Sequence, residues 1–172
     1  MRYILFISIV LLSCKAPAKL SYTTMYNDKN EKVLQGTINR EVIEKDTAFN
    51  WFSTNYNYAQ PAKSAVTAFA STKNNFKMIV FGGTWCEDTQ NLLPMFYKLV
   101  AASKYPEKRI TLVGVDRQKQ SGNELSAKYN IKNVPCFIVL KNDGTEVGRV
   151  VEYGKGNGID VELGEIVSSL SK

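Results

Sequence analysis

Phe81-Gly82-Gly83-Thr84-Trp85-Cys86-Glu87-Asp88-Thr89-Gln90-Asn91-Leu92-Leu93-Pro94 is the stretch on which the architecture turns. The apolar run Met78-Ile79-Val80-Phe81 reads as a buried strand, and two glycines then let the chain turn. Cys86 falls where a helix begins, and Glu87 and Asp88 are acidic residues suited to a first helical turn. Strand, turn, thiol and helix together make the geometry of a thiol site. Unpaired N–H groups at a helix start favour a nucleophilic thiolate, while the charges of Glu87 and Asp88 oppose it. Thr89 stands where a second cysteine is expected.

The 172 residues suit one domain with a core of ordinary size. Hydrophobic content of 44% and charged content of 22% are those of a globular chain rather than a disordered one. The formal net charge is +6, with Lys and Arg scattered and no dense basic run, so nucleic acid is not among the expected partners. The chain has no histidine, which excludes Ser-His and Cys-His nucleophile pairs and His-ligated metals. Its three cysteines do not make a disulfide framework, and each has its own context.

Residues 1–13 read as a targeting segment: Arg2 is a minimal positive region and Tyr3 to Leu12 is an apolar run too short to span a bilayer. Leu11-Leu12-Ser13-Cys14 resembles the bacterial lipoprotein signal, in which the chain is cut before the cysteine and that cysteine is lipidated. The alternative is an ordinary secretory signal, or an uncleaved anchor, with a chance cysteine. On the lipoprotein reading Cys14 is an anchor rather than a redox thiol. The remainder then lies outside the cytoplasm, in the cell envelope and facing the periplasm, where disulfides are permitted. Residues 14–33 are polar, without an amphipathic period, and read as a flexible tether; about 18 residues of coil reach some 20–25 Å.

Residues 34–172 form the expected domain. Its first part, Leu34 to Pro61, reads as a helical extension in which Asn39 and Asp46 serve as caps. Phe49, Phe52 and Tyr56 share one helix face there, read as core packing with a client-binding surface as the alternative. A helix from Pro61 to Lys73 follows, then the strand Phe76–Phe81, the helix after Cys86 with Pro94 inside it, and the strand Arg109–Val115. A helix capped by Ser121, the strand Cys136–Leu140, the turn Asn142-Asp143-Gly144, the strand Glu146–Val151 and a last helix capped by Asp160 complete the order. This βαβ unit followed by ββα predicts an α/β fold, a central mixed sheet with helices on both faces.

The run from Phe76 to about Leu170 resembles the thioredoxin family. Trp85-Cys86 matches the Trp-Cys before that family's active-site helix, and Pro94 matches the proline inside it. Tyr129-Asn130-Ile131-Lys132-Asn133-Val134-Pro135 matches the segment leading to its cis-proline, and Asn142-Asp143-Gly144 its last hairpin. The leader and helical extension are similar to those of anchored, extracytoplasmic thioredoxin-like proteins of diderm bacteria. The resemblance implies a thioredoxin fold and thiol–disulfide exchange on protein sulfur alone, with no cofactor and no metal. The implied partners are client proteins carrying disulfides or thiols, an upstream electron donor of unspecified kind, and the membrane through Cys14. Two departures stand out. The family's Cys-x-x-Cys is here Cys86-Glu87-Asp88-Thr89, and its buried acid six residues before the first cysteine is here Val80.

Cys86 is therefore the candidate nucleophile, flanked by Trp85, with Thr89 able to offer a hydroxyl to the thiolate or to bond within its own helix. The resemblance places the residue after Pro135 near Cys86, which makes Cys136 a candidate for resolving a mixed disulfide; the alternative is a small buried residue in a central strand. Val134 and Pro135 are the expected substrate-binding pair, with backbone able to align an extended client. A peroxidase is disfavoured because Gly83, not threonine, lies three residues before Cys86. Two functions stay open, a thiol–disulfide exchange protein and a non-catalytic module that holds clients in the cis-proline groove.

Overall fold

The computed structural model describes residues 19–171. The leader at residues 1–13 and the anchor residue Cys14 lie outside the described residues. The chain begins with a hairpin of β1 (Ser21–Tyr26) and β2 (Lys32–Ile38), then α1 (Arg40–Glu44), a 3₁₀ turn (Thr47–Phe49), α2 (Trp51–Tyr58) and α3 (Lys63–Thr72). The second half runs β3 (Phe76–Gly82), α4 (Glu87–Ala102), β4 (Ile110–Gly114), α5 (Leu125–Lys128), β5 (Cys136–Lys141), β6 (Glu146–Val151) and α6 (Ile159–Ser168). Six strands form one sheet in the order β1-β2-β4-β3-β5-β6. β3 and β4 are parallel and every other pair is antiparallel, which gives the mixed sheet expected.

The alternation of each central strand separates two apolar layers. Met78 and Val80 of β3 join Phe137 and Val139 of β5 on one face, covered by Ile43, Phe52, Phe69, Phe96 and Leu163 from α1, α2, α3, α4 and α6. Ile79, Phe81, Cys136 and Ile138 point to the other face, where Leu125 of α5 and Tyr129 pack. Helices thus cover both faces, unevenly. Phe52, Phe69, Phe76 and Phe96 are each fully buried, and burying such a side chain contributes roughly 1.5–3 kcal/mol.

The N-terminal region differs from its sequence reading. The stretch expected to be tether contains β1, paired with β2 from Ser21↔Thr37 to Tyr26↔Lys32, and the expected helical extension begins with β2 instead. Tyr and Thr in Ser21-Tyr22-Thr23-Thr24-Met25-Tyr26 suit an extended chain. As an edge strand exposed on both sides, β1 shows none of the apolar alternation that marks a half-buried strand. Asn27 closes the hairpin, its Oδ1 accepting from the N–H groups of Lys29 and Glu31. Further on, Asn39 caps α1 and Asp46 caps the 3₁₀ turn through Val42 N and Ala48 N. Two other expected caps serve elsewhere. Asp160 accepts from Ala62 N at 2.7 Å, tying α6 to the start of α3, and Ser121 bonds Asn123 and Ser126 ahead of a helix that begins only at Leu125. The helix expected to start at Pro61 starts at Lys63.

One feature of register shapes the site. β4 pairs with β2 only over Gly36–Ile38, and Gly36 lies in the same row as Gly114 and Gly82. The hairpin therefore extends past the end of the central strands, over the loop into which β3 delivers the chain.

Candidate active site at the end of strand β3

Cys86 occupies the N-cap position of α4, half-buried, with φ −93° and ψ 121°. Its N–H donates to Gly83 O at 2.9 Å and its carbonyl accepts from Gln90 N at 3.0 Å, so the turn and the helix meet at this residue. Its thiol makes no cap bond; Sγ donates instead to the carbonyl oxygen of Val134 at 3.2 Å. The Val134–Pro135 peptide bond is cis, and both residues are buried. The structure thus brings Cys86, Val134 and Pro135 together.

The turn is built by close contacts. A Cβ on Gly83 would lie 2.6 Å from the indole of Trp85, and one on Gly82 would lie 2.8 Å from Cγ2 of Thr89, so both positions require glycine. Trp85 Nε1 donates to Val115 O at 2.9 Å, and its ring carries Arg117 at 4.9 Å and Lys119 at 5.5 Å. Thr89 is 1% exposed, and its Oγ1 accepts from Gly83 N at 3.2 Å. Its hydroxyl is joined by no hydrogen bond to the Cys86 thiol or to the backbone of its own helix. It holds the turn that presents Cys86, because Gly83 N would otherwise be a buried donor without a partner. Pro94 sits buried within α4, and Val80 is fully buried in the core where the family has its acid.

Cys136 opens β5, directly opposite Phe81 on one side and Val151 on the other. It is 2% exposed, and burial pushes its thiol up to about 11 from an ordinary 9.0. Cys86 packs at the margin of the layer that contains Cys136, and both cysteines are free thiols.

Residues that the sequence did not single out complete the site. Thr84 Oγ1 donates to Lys32 O at 2.8 Å and accepts from Leu34 N at 3.3 Å, so the site loop bonds the part of β2 that β4 leaves unpaired. Gln90 Nε2 donates to Thr84 O at 2.9 Å. Arg117, on the Trp85 ring, pairs with Glu31 of the hairpin at 2.9 Å. These contacts bound an open cleft of about 500 Å³ over Cys86, lined also by Lys29, Glu87 and Asp88. Apart from Gln90 and Thr84, which are 6 positions apart, the partners lie about 30 to 90 positions away in the chain, so no local spacing announces them.

A family model that covers most of the chain agrees with this architecture. The thioredoxin family model matches residues 22–157. The chain belongs to the thioredoxin family. It is 29% identical to protein disulfide-isomerase of Ricinus communis over 83 residues, which is 47% of this chain and 17% of the isomerase. It is 29% identical to thioredoxin H5 of Oryza sativa subsp. japonica over 102 residues, 59% of this chain and 62% of that one. The chain thus spans less than two thirds of these relatives. The reduced thioredoxin pre-protein of Schistosoma mansoni superposes with a TM-score of 0.41 at 28% identity, over 60% of this chain and 87% of that one.

Proposed function

We propose that this protein performs thiol–disulfide exchange through a single nucleophile, Cys86, on client proteins outside the cytoplasm, attached to a membrane through lipidated Cys14. The observation that carries the reading is the 3.2 Å contact between Cys86 Sγ and Val134 O beside Pro135. The thiolate of Cys86 attacks one sulfur of a client disulfide; a new S–S bond forms, the client's S–S bond breaks, and the other client sulfur leaves as a thiolate. In that mixed disulfide, as in the thiolate, Cys86 has no proton to donate. The Val134 carbonyl is then released to accept from the client's backbone, so bond formation at sulfur and docking at the proline loop favour each other.

Resolution comes from outside the fold on this reading. Thr89 offers no thiol, and Cys136 is buried with its proton held. A second client thiolate attacks the client sulfur of the mixed disulfide, a disulfide forms within the client, and Cys86 returns as thiolate. The net result is disulfide rearrangement without an electron donor; a small thiolate that attacks the Cys86 sulfur instead releases the client as a dithiol, and a second small thiolate then frees Cys86 and leaves as the small-molecule disulfide, so two small thiols reduce the client.

The test follows the rate of exchange with a model disulfide peptide. Cys86→Ser is expected to lose roughly 100-fold or more, while Cys136→Ser stays within about twofold of wild type. Equal rates for wild type and Cys86→Ser would leave the non-catalytic client-holding module. Slow turnover of Cys136→Ser with accumulated mixed disulfide would return the resolving role to Cys136.

A further inference from the structure

A second depression lies beside the Cys86 cleft, and its walls ask for an apolar side chain. It measures about 220 Å³, between Tyr26 and Lys32 of the hairpin, Ala48, Phe49 and Trp51 of the 3₁₀ turn and α2, and Gln90 of α4. That is below the roughly 300–1,000 Å³ of pockets that hold whole small ligands, and it suits one large side chain. Glu31 and Gln90 line both this depression and the Cys86 cleft, so the two are adjacent.

Of the polar groups around it, the charged side chains, Gln90 and Thr84 are already engaged, while the Asn30 amide and the Tyr26 hydroxyl are not. Lys32 Nζ pairs with Asp46 at 2.5 Å, Gln90 Nε2 bonds Thr84 O, Thr84 Oγ1 bonds Lys32 O, and Glu31 pairs with Arg117. What remains to a visitor is the aromatic and methyl surface of Ala48, Phe49, Trp51 and Tyr26, with the Asn30 amide and the Tyr26 hydroxyl as the polar groups left to bond. Trp51 is half-buried, edge-on to Phe49 and Phe52 at 6.1 and 6.0 Å, and Tyr26 is 63% exposed. We propose that this depression is a client subsite: it receives an aliphatic or aromatic side chain of the segment whose cysteine is joined to Cys86. Gln90 is one helical turn from Cys86, about 6 Å along α4. An extended peptide advances about 3.3 Å per residue, which puts the apolar residue two to four positions from the client cysteine. The subsite rests on the exchange reading above.

The test uses the full chain carrying Cys14→Ser, so that Cys14 supplies neither lipid nor a competing thiol. Extended peptides carry one cysteine as its mixed disulfide with thionitrobenzoate, and leucine or serine at each position two to four residues to either side. Cys86 attacks the peptide sulfur and thionitrobenzoate leaves as the coloured thiolate. Leucine at the favoured position is expected to raise the second-order rate roughly tenfold over serine. Ala48→Phe, which fills the depression, and Tyr26→Ser, which removes an exposed wall, are each expected to cut that preference below about twofold. Both variants should react with the symmetric bis-thionitrobenzoate disulfide as wild type does. Equal rates for all peptides, or a preference untouched by both substitutions, overturns the subsite while leaving exchange intact. No reaction with the symmetric disulfide overturns the exchange reading and the subsite with it. A preference that emerges only after residues 1–18 are cleaved off assigns the depression to that segment and overturns a client occupant.

Discussion

Cys86 and Cys136 stand at the same end of the sheet, one just after β3 and the other opening β5 opposite Phe81, yet the fold treats them differently. Cys86 is held by a turn and a helix start, half-buried at the edge of a cleft, with its sulfur against a single backbone carbonyl. Cys136 is held by strand ladders on both sides and closed in by Phe81, Ile138 and their neighbours. The same functional group becomes a half-buried thiol at the edge of a cleft in one setting and core packing in the other. Secondary-structure position decides this: a cap residue ends a ladder and opens to solvent, whereas a central strand residue is enclosed on every side.

Three measurements bear on this contrast. Alkylation by iodoacetamide at pH 8 is expected to modify Cys86 at least about 100-fold faster than Cys136, whose labelling needs local opening of β5; comparable rates in intact protein would erase the distinction. The second is smaller. An unfolded Cys136 ionises near 9.0, while in the fold it keeps its proton to about 11. Between those values the folded state binds the more protons, so stability falls as pH rises through that window. Wild type is therefore expected to lose up to about 3 kcal/mol relative to Cys136→Val between pH 9 and 11, as read by urea unfolding. Parallel pH curves for the two proteins would place Cys136 in contact with solvent. The smallest effect concerns the turn beneath Cys86. Thr89→Val leaves Gly83 N unpaired and is expected to cost about 1–2 kcal/mol of stability. An unchanged midpoint would mean that Thr89 does not hold the turn.

The central part of the fold was legible because each element has a local cause. Apolar runs marked β3, β4 and β5, the Asn142-Asp143-Gly144 turn fixed the β5–β6 hairpin, and amphipathic spacing marked α4 and α6. The pairing of Cys86 with the Val134–Pro135 loop was legible through the family motif. What escaped reading lacks a local cause. β1 buries neither face, so its sequence resembles that of a polar linker. Asp160 has the chemistry of a cap, but its carboxylate is claimed by Ala62 N, 98 positions away. Thr89 sits at a family cysteine position, which draws attention to the thiol rather than to Gly83, where its hydroxyl is used.

Thr84 carries a consequence for anyone who transplants this site. Its hydroxyl bridges Lys32 O and Leu34 N, so the loop bearing Cys86 is stitched to the first hairpin of the chain. A fragment cut at Phe76 would contain the whole family motif yet leave Thr84 without either partner, and would surrender Glu31 from the side of Arg117. The smallest exchangeable cassette therefore begins at Ser21 and takes the hairpin together with the motif.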